Sequence, residues 1–158
     1  MSDKFIHKLF ATPVFQFKVK DHEKLNSNLS KYIYDLYEND KDGIERSNVN
    51  GWHSKNFKVE KDSAPHNFIQ SIHGYIKEVM VKDFGWKYSP EKVGITEIWA
   101  IINKKNTFNQ THNHPNTYLS AAYYVKAPKD CGDIQFHEPN EVKKFRHPVI
   151  EKKNQLNS

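Results

Sequence analysis

One cysteine, Cys131, is all the chain contains, so no intramolecular disulfide can brace it. That suits a reducing compartment, and a cytoplasmic location is the expectation. Long apolar runs are missing as well, which argues against a membrane-spanning helix. The opening residues, MSDKFIHKLF, lack the apolar core of a secretion signal. A dense basic stripe is also absent. The 24 Lys and Arg are diluted among 19 Asp and Glu, and the lysines come as singles and pairs. The net charge of +5 therefore reads as a solvated surface in preference to a nucleic-acid face. Internal repeats, low-complexity tracts and linkers are not found, so residues 1–158 are expected to form a single domain. What the chain does have is aromatic side chains, 13% of the total, which opposes disorder and promises a real core.

The hydrophobic pattern divides the chain in two. Residues 9–19 alternate, with Phe15, Phe17 and Val19 on one face, and predict a strand with Pro13 near its start. Residues 21–39 place Leu25, Leu29, Ile33 and Leu36 on one helical stripe, with Asp21 as the expected cap. Tyr32, Tyr34 and Tyr37 read as packing residues on this helix. Residues 39–56, rich in Asn, Asp, Gly and Ser, predict a loop. Within that loop Trp52 reads as an anchor to the core, with a pocket wall as the alternative. A second helix is expected from Ser63 to about Phe84, with Pro65 in its first turn, Phe68, Ile72, Ile76 and Val79 as its stripe, and Gly85 as its stop. His66 and His73 read as solvated helix residues.

Beyond Gly85 the chain turns β-like. Strands are expected at residues 92–103, 118–125 and 133–137, with a turn at 127–132. The plan is α+β, with a helical support region at about 1–85 and a β-core at about 92–158.

The chemistry centres on residues 111–125, THNHPNTYLSAAYYV. His112 and His114 are two positions apart, so in extended backbone their rings point the same way. Imidazole suits iron, zinc, copper or nickel, and the pair by itself selects none of them. The run after them has two faces: Leu119, Ala121, Tyr123 and Val125 on one, Ser120, Ala122 and Tyr124 on the other.

Residues 97–137 resemble the core of the iron(II)- and 2-oxoglutarate-dependent dioxygenases, especially the prolyl-hydroxylase-like branch. The shared order is EIWAIIN, a loop, His112-Asn113-His114-Pro115, LSAAYYV, then a Gly-containing turn and DIQF. LFATPVF, the GWHS loop and the HNHP to YYV stretch are also similar to a bacterial and phage group of 2-oxoglutarate oxygenases. The likeness is specific within residues 99–136.

The resemblance implies a double-stranded β-helix (jelly-roll) core, incomplete at the C-terminus, with the two helices packed on it. It also implies an oxidoreductase using Fe(II), with 2-oxoglutarate as a small-molecule co-substrate, to hydroxylate a protein side chain or small molecule. His112 matches the first metal ligand, and His114 stands where the family usually has a carboxylate. Tyr124 matches a tyrosine that holds the distal carboxylate of 2-oxoglutarate. Ser120 and Asn103 would line the same pocket, and Trp52 could close it from outside. No catalytic residue beyond the metal ligands is assigned. The family's later His and its Arg or Lys have no counterpart with the expected flanking strand, and His147 does not inherit the role. Three outcomes are open: a truncated chain, completion by a partner, or loss of catalysis. The alternative function is thus a non-catalytic metal- or ligand-binding module, with homo-oligomerisation through exposed sheet edges.

Overall fold

A computed structural model describes residue 5 and residues 11–89, 93–137 and 151–152. The chain separates into two compact units, Met1–Ala127 and Pro128–Ser158. The first is α+β: two helices with short antiparallel strand pairs.

Helix α1 spans His22–Asn39. Of the expected stripe Leu29 is fully inside, while Leu25, Ile33 and Leu36 are half-buried. Asp21 corrects the expected cap. Its backbone is left-handed (φ 51°), which is not the extended conformation that aims a capping side chain at the first turn, and it makes no side-chain cap bond. Tyr32 packs edge-on against Phe57 and Tyr37 against Trp52, as packing residues should. Tyr34 instead lies 47% exposed.

Helix α2, Ala64–Glu78, begins as its sequence dictates. Ser63 Oγ accepts the His66 amide at 3.3 Å, and Pro65, which has no N–H to leave unpaired, is buried in the first turn. It continues as a π-helical turn, Val79–Asp83, in which the Phe84 amide reaches back to Val79 O at 3.0 Å. Widening the helix by one residue shifts the register of the apolar stripe. Adjacent Val79 and Met80 can therefore both be buried. Gly85, at φ 66°, ends the run as expected. His66 is half-buried and its ring accepts the Asp62 amide, whereas His73 is exposed beside Tyr88.

Residues 11–19 do not form the expected strand. Their alternation survives, with Val19 buried, Phe17 on Tyr75 (centroids 5.1 Å) and Phe15 on Phe84 (5.7 Å). The partner is helix α2 and not a sheet. The Tyr75 hydroxyl donates to Lys18 O and accepts the Lys20 amide, replacing ladder bonds.

The Asn- and Gly-rich stretch expected to be loop contributes two strands, β1 (Asn48–Val49) and β2 (Trp52–His53). Strand β3 is Ile101–Ile102 and β4 is Phe108–Asn109. β1 pairs with β4 and β2 with β3, both antiparallel. Asn50 turns the chain between them in the left-handed region (φ 58°), and the Asn48 side-chain Nδ2 ties the turn by donating to Gly51 O at 2.8 Å. Gly43 is required twice over: its φ is +63°, and a Cβ there would collide with His53 O and the Trp52 ring.

The strands expected at 118–125 and 133–137 are not formed among the described residues. The two faces of 119–125 are nevertheless distinguished at its end. Tyr123 packs on Phe68 (4.8 Å) and donates to Asn26 Oδ1 at 2.7 Å, while Tyr124 is 57% exposed. A partner in the helical layer takes the place of a sheet. In the second unit, the expected turn is present at Lys129–Asp130, where the Cys131 amide donates to Pro128 O and Gly132 adopts φ 87°.

No described helix is long and apolar enough to cross a membrane.

Candidate functional site

Two ladders converge on the histidine-bearing stretch. The first continues the β2–β3 pair: the Ser54 amide donates to Ala100 O at 2.9 Å and the Phe57 amide to Ile98 O at 2.8 Å. The Ala100 amide, in turn, bonds to the Ser54 hydroxyl at 3.0 Å. The backbone on both sides of Trp99 is thereby fixed. The second ladder, β1–β4, extends by one bond from the Gln110 amide to Ser47 O at 2.7 Å. It holds the chain two residues short of His112.

Neighbouring residues of a strand face opposite ways, and β2 uses both sides. Trp52 turns toward α1, where its indole N–H donates to Asp40 O at 2.7 Å and its ring meets Tyr37. It is an anchor, as the first of its two sequence readings held. His53 turns the other way and stacks on Trp99, with centroids 5.5 Å apart and planes 15° apart. It is 6% exposed, and its Nδ1 donates to Ser54 O at 2.7 Å. Burial holds its pKa below the ordinary imidazole value, the positive charge of Arg46 adds to that, and the Ser54 bond opposes it. His53 is accordingly a neutral ring at pH 7.

The contacts continue outward. Trp99 meets His114 at 5.6 Å, and His114 meets His112 edge-on at 5.0 Å. His112 Nδ1 donates to Gln110 O at 2.7 Å. That bond assigns the ring proton to Nδ1 and leaves the Nε2 lone pair free to bind a cation. The two expected ligands are therefore brought together, on an exposed loop.

The expected pocket residues lie as follows. Asn103 is exposed and sits against Gly51, where an added Cβ would strike its side-chain oxygen. Ser120 and Tyr124 are exposed, and among the described residues no hydrogen bond or ring contact joins them to the imidazole pair. No cluster of three or more His, Cys, Asp or Glu able to hold a metal occurs among the described residues. His147 lies outside them.

His53 and Trp99 were not singled out from sequence. A partial signal existed for the first: Asn50-Gly51 marks a turn, which leaves Trp52 and His53 free to start a strand, although β1 and β2 pair with β4 and β3 and form no hairpin with each other.

The fold and site together define an α+β chain that presents two adjacent imidazoles on a loop braced by short strand pairs. Residues 97–158 match the model of a family described as "Putative 2OG-Fe(II) oxygenase". The matched segment begins just before Trp99 and includes His112 and His114, while His53 precedes it. Comparison with curated proteins and with solved structures gave no match.

Proposed function

We propose that this chain is an iron(II)- and 2-oxoglutarate-dependent oxygenase that hydroxylates a protein side chain or a small molecule. The observation that carries the reading is the approach of His112 and His114 to 5.0 Å within the segment that matches the oxygenase family. Two imidazoles sharing one metal through nitrogens at about 2.1 Å have ring centroids roughly 5 Å apart, a separation the pair already has. The His112 proton, held on Nδ1 by Gln110 O, supports the same use of Nε2.

In this reading His112 and His114 are two of the protein donors. A bound iron would couple decarboxylation of the oxo acid to oxygenation of a C–H bond. The remaining roles fall to the chain's own polar groups. The Tyr124 hydroxyl donates to the far carboxylate of 2-oxoglutarate, and Ser120 and Asn103 complete its polar surroundings. Such donors offset the desolvation of a carboxylate, which is costly when unmatched. A jelly-roll core is part of the same proposal.

Calorimetric titration with Mn(II), an inert surrogate for Fe(II), tests it. The wild-type chain is expected to give metal-dependent heat that 2-oxoglutarate enhances, and His112→Ala is expected to give none. Absence of heat with the wild-type chain would end the reading.

A further inference from the structure

The contacts that reach His114 come from a residue that neither the resemblance nor the family match assigns a role. Trp99 packs on His114 at 5.6 Å and on His53 at 5.5 Å. Everything behind Trp99 is fixed. Its backbone neighbours Ile98 and Ala100 are bonded to Phe57 and Ser54. His53 is buried and tied through Nδ1 to a carbonyl. His114 itself lies on an exposed loop, where an imidazole would otherwise sample several rotamers. Contacts between aromatic rings at these separations add to burial and favour one rotamer several-fold.

We propose that Trp99 is a positioning residue. Its ring, braced by His53, selects the His114 conformation that turns toward His112 and so preorganises the pair for a metal ion. The proposal deepens the metal-binding reading above and rests on it. It assigns a use to the GWHS loop, which holds the brace although it lies outside the family-matched segment. Guidance of this kind lowers the entropy lost when the ligand ring is immobilised.

The test combines Trp99→Leu, which removes the aromatic face, with Trp99→Phe, which retains one. Two signals are read: Co(II) affinity with the visible spectrum of the bound ion, and the ring-proton NMR shifts of His114 without metal. Trp99→Leu is expected to weaken Co(II) about tenfold and to move the His114 ring signals toward free-histidine positions. Trp99→Phe is expected to restore both, leaving Co(II) affinity within about threefold of wild type on the same scale. Circular dichroism confirms that each variant is folded. If a folded Trp99→Leu binds Co(II) as the wild type does, with unchanged His114 shifts, the positioning role is wrong and the metal site stands. If the wild-type chain binds no Co(II), the metal-binding reading fails, and this inference fails with it. If Trp99→Phe behaves like Trp99→Leu, an aromatic face is not what His114 requires, and the proposal is overturned.

Discussion

The first unit places two kinds of surface side by side. Around β2 and β3 each polar side chain of the GWHS loop makes a hydrogen bond: Trp52 with Asp40, His53 with Ser54, Ser54 with Ala100. Ten residues after β3, the His112–His114 loop is exposed throughout, and it is held by the His112 bond to Gln110 O, the Thr117 hydroxyl's bond to His114 O and ring contacts. The contrast separates what holds the structure from what it presents. Residues with buried partners should govern stability, and exposed imidazoles should govern ligand binding with little cost to the fold.

Substitutions can break that division. The largest expected effect is that of Trp52→Ala, which removes a buried ring and the donor to Asp40 O. It should cost about 3–5 kcal/mol in chemical denaturation. A loss below about 1 kcal/mol would show that the loop is not anchored there. Gly43→Ala comes next, at about 1–3 kcal/mol, because it combines a left-handed backbone with a backbone collision at His53 O. Gly51→Ala should be milder, since its added Cβ clashes with the end of the exposed Asn103 side chain, which can swing aside, and meets Ile102 O at an ordinary 3.4 Å.

A pH effect is expected from His53. Its folded pKa is depressed, chiefly by burial. As pH falls through about 6.5 the unfolded chain therefore takes up a proton before the folded one does, and stability declines with acidification. The decline ends once the folded protein's own lower pKa is passed. Thermal unfolding between pH 7 and pH 5 should show a shallower slope for His53→Asn than for wild type. Equal slopes would mean that the buried ring does not titrate as its surroundings require. Asp40, whose carboxylate is held below its ordinary range first by the Lys55 hydrogen bond and then by the Gly43 amide, would act only at lower pH.

The smallest expected stability change belongs to the imidazole pair. His112→Ala and His114→Ala should each alter unfolding by no more than about 0.5 kcal/mol, as surface substitutions do, while each abolishes Mn(II) binding. Unfolding of either variant would show that the loop carries structure.

The two helices were legible because a helical stripe and its start signals lie within one segment: Leu25 through Leu36, and Ser63 with Pro65 ahead of Phe68. The histidine pair was legible for the same local reason, as was the division between Tyr123 and Tyr124. The partner surfaces were not. Residues 14–19 alternate as a strand would, yet a helix receives their aromatic face, because alternation specifies two faces without specifying what covers them. The segment that pairs with β3 reads as loop in composition, and its partner is about fifty residues distant.

Amino-acid sequence alone thus determined where the chain turns helical and where two imidazoles stand two positions apart, since periodicity and spacing are properties of neighbouring residues. Only the tertiary structure decided that His53 is buried and that Trp99 contacts both it and His114. Those outcomes depend on pairings between distant segments, where close packing and the need to satisfy every buried polar group choose one arrangement among many that local pattern permits.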